Sequence, residues 1–497
     1  MIKINYKLRN CICVFMFLFT MQYAFAQVGI NTTTPHPSSI LDVSSAEKGM
    51  LAPRLTTVQR LAITTPAESL LVYDTTEKGF YYYNNTSSSW IKLANDNKRN
   101  NYKLIKSVAD LAQESIDGGG AGYLLNTNTF YEINGTITLV KPINLNDAYV
   151  SGLDANEDVL SFPGGTVFEG TKGGSIKNVT LKGAQAFNIT GPGIATNSSL
   201  LIQNTIIDGM TTGVGNISSL GLYYGGIVQF INNANGIVYS NIGNCLLDNQ
   251  AWLSSNNGTF EKFTGGFGLV EKGSGFSTVN GNDIAFDVSA VGLTIGTGTL
   301  SGTVFSGTTT APSGYIKGYA PANTYPGYNF SDVWYVDSPG IPREGDAAAT
   351  GNLYKSNRTF VETDTNAGTP GLKLNTPITL STNLFRFSSA TVGRLTYEGK
   401  KPRAFQATAT LSYEGVGSNT NTDYVFYFVR VGSNGISTIP LPETEIFSDS
   451  KSNSIISTIT VSGTIVLAEN ESIEVHVQRI GGSTTKVNLV SYNLSIK

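Results

Sequence analysis

Lys182, Asp208 and Asp248 occupy the same place in an eight-residue pattern that the chain repeats. Ile176-Lys177-Asn178-Val179-Thr180-Leu181-Lys182-Gly183 recurs as Ile202-Gln203-Asn204-Thr205-Ile206-Ile207-Asp208-Gly209, and again as Ile242-Gly243-Asn244-Cys245-Leu246-Leu247-Asp248-Asn249. If each copy is one strand of a stacked array, neighbouring strands lie about 4.8 Å apart and these side chains form a polar column. Two carboxylates flanking a glycosidic bond divide the acid and base roles between them. Asp208 and Asp248, with Lys182 beside them, are therefore the candidate catalytic residues of a polysaccharide lyase or glycoside hydrolase. The copies are offset by 26 and 40 residues, matching one coil and then two, which sets Asp248 about 9.6 Å from Asp208. A plain Lys–Asp ladder that keeps a strand face soluble accounts for the same column.

Other residues could hold a sugar without cutting it. Tyr223, Tyr224 and Trp252, with Phe263 and Phe267, stand among Gly, Asn and Ser, and flat rings beside amides suit a glycan-binding surface. Packing under loops is the competing use. Asp154-Ala155-Asn156-Glu157-Asp158 alternates acids and an amide like the start of a calcium loop, but Val159 stands where Gly is needed and Gly165 where a bidentate Glu belongs. That excludes an EF-hand and leaves a looser Ca²⁺ site as the one cofactor to consider. Only two histidines are present, His36 and His476, so a Ser–His–Asp triad or a His-rich zinc site has little material. His476 alternates with Val475 and Val477 and reads as an outward strand residue.

The elements that must position these residues are strands. Charged residues make up 14% of the 497, and there are 54 glycines; ordinary soluble chains are roughly a quarter charged. Lys3, Lys7 and Arg9, the apolar run Cys11–Thr20 and Ala24-Phe25-Ala26 read as a secretory signal over 1–26, cleaved near Ala26, giving a secreted or outer-surface protein without a membrane span. Cleavage leaves 30 of the 33 basic side chains against 36 acidic ones, which argues against a nucleic-acid partner. It also leaves Cys245 as the sole cysteine, best read as a small buried hydrophobe.

The repeat predicts a parallel β-helix, because a lone coil cannot bury its inward face whereas stacked coils can. The first and sixth residues of each copy point inward, and the repeated Asn sits at a bend, tolerating left-handed geometry and stacking on the next coil. Ser107 and Asp110 cap a short helix whose Val108, Leu111, Ala112 and Ile116 share a face and cover the open first coil. The fold class is all-β: a right-handed parallel β-helix followed by a C-terminal jelly-roll sandwich, with a small β N-terminal module. The boundaries are 27–93 for that module, 94–106 for a polar linker, 107–320 for helix and solenoid, 321–374 for a connector, and 375–497 for a sandwich with clean period-two alternation.

Gly29-Ile30-Asn31-Thr32-Thr33-Thr34-Pro35, Leu41-Asp42-Val43, Pro53-Arg54 before Thr56–Arg60, and Leu71-Val72-Tyr73-Asp74 resemble the N-terminal module of secreted surface proteins of Bacteroidetes-type bacteria, which also precedes phage-tail-fibre-like domains. A short helix leading into coils is similar to tail-spike and pectate-lyase-like β-helix proteins, though no catalytic motif of theirs is matched. The terminal sandwich looks like a C1q/TNF-like head. Together these resemblances imply an elongated, homotrimeric, adhesin-like surface protein that binds glycans or another cell surface, with a β-helix polysaccharide-degrading enzyme as the alternative.

Overall fold

The computed structural model describes residues 27–93, 101–319, 325, 327–355, 357, 359–365, 371–376, 379–416, 422–450, 455–482 and 486–497. The expected signal segment and much of the linker lie outside the described residues. No helix among the described residues is long and apolar enough to cross a membrane.

The chain divides into two compact units, with the boundary at Lys98. In the first, Val28–Ile30 pairs in parallel with Leu41–Val43, and Arg54–Leu55, Leu71–Asp74, Gly79–Asn84 and Ser89–Lys92 form a four-stranded sheet in that order. Thr56 and Gln59 close a capping box on the helix Thr57–Leu61, which presents Arg60 to Asp74 at 2.8 Å beneath the Tyr81 ring. Val72 and Tyr81 are buried here, whereas Ile40, Leu51, Val58 and Leu61 are all more than 60% exposed.

The second unit opens with a β-solenoid of about eight turns. Parallel strands run from Tyr102–Ile105 to Trp334–Asp337 in one continuous ladder. The first two repeat copies stack as the sequence predicts: Ile176 pairs with Ile202, and Leu181 with Ile207. Both bend asparagines are left-handed, Asn178 at φ 54° and Asn204 at φ 47°. The Asn204 amide donates to Asn178 Oδ1 at 3.2 Å. The third copy is out of step. Ile202 is followed in register by Gly225 and Leu247, so the true partner of Asn204 two coils on is Asn249, not Asn244. Coil length is not constant, and a fixed-period alignment slips by five residues.

Each coil turns three corners. In one coil these are Ser219 (φ 57°), Ile227 (φ 57°) and Asn232 (φ 56°). Inside, Phe230, Trp252, Phe260, Phe263 and Phe286 pack as a near-continuous aromatic column, with Trp252 and Phe260 stacked at 4.4 Å. The first coil is covered by the predicted cap, Val108–Leu111 and Ala112–Asp117. Leu111 is buried as expected, but Ile116 is 71% exposed and Glu114 takes the inward place. Its carboxylate is held by Lys103 Nζ at 2.6 Å and the Tyr131 hydroxyl at 3.0 Å, which makes the burial tolerable.

The C-terminal part is a two-sheet antiparallel sandwich, and it begins at Thr350, inside the stretch expected to be a connector. One sheet orders Thr350–Lys355, Lys486–Ile496, Arg403–Val416 and Ser457–Leu467; the other orders Arg394–Tyr397, Ser472–Arg479 and Thr422–Val431. Phe405, Ala407, Ala409 and Leu411 face the core between them, as their alternation predicts.

Candidate functional site

Lys182 and Asp208 do share a column. Their strands are in register, and Lys182 Nζ lies 2.9 Å from Asp208 Oδ2. The Asn232 amide donates to the other carboxylate oxygen at 3.1 Å. Asp248 belongs to a different column, between Gly226 and Gly273, and bonds the Ser274 hydroxyl at 2.7 Å. The two carboxylates are not brought together, so the paired acid–base arrangement expected from the repeat is not assembled. The five-residue slip in the third copy is the reason. What remains at Lys182 and Asp208 is a half-exposed ion pair.

The aromatic residues divide by face. Tyr223 is 2% exposed and Trp252 fully buried, as are Phe263 and Phe267 at 0% and 5%. These rings fill the lumen and are closed to a surface ligand, which corrects the expectation for Tyr223 and Trp252; close packing of the interior requires large side chains there. Tyr224 points outward, half-buried in a column between Leu201 and Leu246.

The lumen also holds a buried ion pair that sequence reasoning missed. Lys272 Nζ lies 3.0 Å from Glu261 and 4.9 Å from the Phe260 ring centroid, with both charged side chains at most 1% exposed. Burial pushes the Glu261 carboxyl up, and Lys272 pulls it back. The available signal was spacing, since Lys272 falls two residues after the inward Val270. Cys245, as read from the sequence, is fully buried, with its thiol pushed well up by burial. It is therefore expected to resist a thiol-reactive probe in the native protein and to react only after denaturation; fast native labelling would contradict the lumen assignment.

Asp158 accepts hydrogen bonds from the backbone amides of Leu153, Gly135 and Asp154 at 2.7, 2.8 and 3.1 Å. Burial alone would raise its pKa, but these amides outweigh it and hold the carboxyl below its usual range. Asp154 accepts from the Asn156 backbone amide at 2.8 Å. The five-residue acidic loop is thus closed by its own backbone, and its carboxylates do not converge on a common point.

His476 lies on the strand face opposite the core residues Val475 and Val477, as read, but that face is covered. His476 is 5% exposed, with Nε2 2.8 Å from Glu474 and Nδ1 2.7 Å from the Gly371 carbonyl. Arg394 and Lys373 reach the same carboxylate at 3.0 and 3.2 Å. Burial would raise the Glu474 pKa, yet His476, Lys373 and Arg394 together hold it at about 2. These partners converge from three segments of the sandwich and serve as a structural clamp.

Of the three outer faces of the solenoid, one carries a mostly polar column, interrupted by Val238 and with Asp287 buried. Glu169, Asn188, Asn216, Val238, Lys262, Asp287 and Lys317 follow one another in register. Beside them runs a hydroxyl column, Thr190, Ser218, Ser240 and Thr264. Bonding along the face is loose: Asn188 to Glu169 at 3.4 Å, Ser218 to Thr190 at 3.1 Å, and Lys317 to Asp287 at 3.9 Å. The exposed amides, hydroxyls and lysines of this face keep donor and acceptor capacity in hand, whereas the buried Asp287 is taken up by the Ser289 amide and hydroxyl.

A groove of about 700 Å³ lies where the last coils meet the sandwich, lined by Thr297, Thr299, Tyr335, Lys400 and Arg403 among others. Its charges are matched internally. Lys400 pairs with Glu469 at 2.8 Å and Asp332 at 3.4 Å, and Asp346 accepts the backbone amides of Lys400 and Lys401. Beneath it, the wholly buried Arg386 donates to the Trp334 carbonyl at 2.8 Å, joining sandwich to solenoid.

With this geometry in hand, residues 29–107 match a family described as the phage tail like trimerisation region. That match, on the unit with the exposed apolar surface, supports a homotrimeric, fibre-like protein. No curated protein matches the chain. Among solved structures, it is similar to the enzymatically active domain of tailspike protein 4 of bacteriophage CBA120, at 10% identity and TM-score 0.20, covering 90% of this chain and 76% of that one. It is also similar to Eiger TNF from S. frugiperda, at 8% identity and TM-score 0.22, covering 30% of this chain and 91% of that one.

Proposed function

We propose that this protein is a secreted or surface-attached trimeric fibre that binds glycans through the polar face of its solenoid, adhesin-like, with the C-terminal sandwich as a jelly-roll head. The observation that carries this reading is the paired columns of amides, lysines and hydroxyls, repeating at the strand spacing of about 4.8 Å. Such a row offers the same contacts to successive units of an extended polymer, so many weak hydrogen bonds act together. The separation of Asp208 from Asp248 weighs against the alternative, a polysaccharide-degrading enzyme built on that pair.

A glycan array probed with the full chain and with an Asn188→Ala/Asn216→Ala/Lys262→Ala variant tests the proposal. Each substitution removes a contact worth on the order of 1 kcal/mol, so the apparent affinity for the best-bound polymer is expected to fall at least tenfold. Undiminished binding by the triple variant would move the site elsewhere.

A further inference from the structure

The corner column that begins with Asn178 and Asn204 continues through Ile227, Asn249, Ser274 and Gly302. Every other member is a residue that tolerates or stabilises left-handed backbone. Ile227 is β-branched, sits at φ 57° and is 57% exposed. An isoleucine there is strained without gaining burial, so its side chain is retained for something outside the chain.

The two faces that meet at this corner each carry an apolar row. On one side Ile206, Gln229, Ala251, Phe276 and Val304 form the outward column, with Phe276 and Val304 39% and 42% exposed; the Lys182–Asp208 ion pair lies two residues further along the same strands. On the other, Leu201, Tyr224 and Leu246 follow in register before Glu271, with Asp248 on the same face. The faces differ from each other, and the polar face lies away from the corner. A cyclic trimer is built from heterologous contacts, in which one patch of each subunit meets a different patch of the next. A wedge with two unlike flanks, each carrying an apolar row, and an apolar edge has that form.

We infer that the Ile227 corner is the edge along which three solenoids of this protein pack, the face carrying Phe276 of one copy against the face carrying Tyr224 of the next. The occupant is a second copy because residues 29–107 already match a trimerisation region, and the inference rests on that trimeric reading. It leaves the polar face on the outside of the assembly.

The test uses the full chain with Cys11→Ser and Cys13→Ser, leaving only the buried Cys245, and adds either Ile227→Cys or Asn216→Cys. Treated with a short bismaleimide at low protein concentration, the Ile227→Cys protein should give covalent dimers at least ten times more abundantly than the Asn216→Cys protein. Equal or reversed yields in a sample that sedimentation shows to be trimeric would overturn the corner while leaving the trimer standing; a monomer by sedimentation would overturn both. Ile227→Asn supplies a second readout. It relieves the backbone strain but removes the contact, so the melting temperature should fall; a rise, as strain relief alone would give, counts against the interface.

Discussion

Lys272→Met is expected to destabilise the solenoid by about 3–5 kcal/mol, because it leaves Glu261 charged and unpaired in the lumen. Both side chains are at most 1% exposed, so neither can turn to water. The double variant Lys272→Met/Glu261→Leu removes the second charge as well and should return to within about 1 kcal/mol of the parent, or exceed it. Without Lys272, burial acts unopposed on Glu261 and raises its pKa in the folded state above the unfolded value. A raised pKa contributes stability at low pH that is lost as pH rises. The Lys272→Met defect should therefore shrink as pH falls towards the ordinary carboxylate range. Urea unfolding of the three proteins at neutral and mildly acid pH measures both effects. A single-variant loss below about 1 kcal/mol would mean that the lumen is wet at this level.

The second large effect lies in the sandwich. Glu474 is held at about 2 against an ordinary 4.5, and its side chain is 3% exposed. A depressed carboxyl contributes stability that is fully present above the unfolded pKa and lost as pH falls through the folded one. Between about pH 5 and pH 2 the sandwich should accordingly lose about 3 kcal/mol through this group. Glu474→Gln should remove most of that slope, and at neutral pH it should cost several kcal/mol by leaving Arg394 and Lys373 without their anion. Near-ultraviolet circular dichroism during acid titration follows the transition through the sandwich tyrosines. An unchanged acid midpoint in Glu474→Gln would show that the clamp does not govern it.

Most of the architecture was legible because solenoid coils obey a local rule: inward residues at fixed places and a left-handed Asn at the bend. Asn178 and Asn204 satisfied that rule, and so the first two coils were placed correctly. Ile227 interrupts the same column, so the next coil carried no visible copy and the third was aligned on Ile242 instead of Leu247. That slip alone put Asp248 in the column of Asp208. Tyr223 and Trp252 were misread for a different reason. Their glycine and asparagine neighbours look like loop residues, but here they are bend residues and space-savers: a Cβ on Gly225 would meet the Gln250 amide at 2.6 Å and the Tyr223 hydroxyl at 2.8 Å. The polar face was invisible for want of register, since Asn188, Asn216 and Lys262 are far apart in sequence and share no motif. His476 and Ile116 show that alternation reports a side chain's direction, while what covers it is decided by segments distant in the chain.

Lysine acetylation of the full chain, with and without the polymer it binds best on an array, tests the central claim most directly. Lys262 and Lys317 lie on the polar face, whereas Lys172 and Lys177 are exposed elsewhere. Bound polymer should slow acetylation of Lys262 and Lys317 severalfold and leave Lys172 and Lys177 unchanged. Unaltered reactivity at Lys262, or protection confined to the other lysines, would contradict a glycan site on this face.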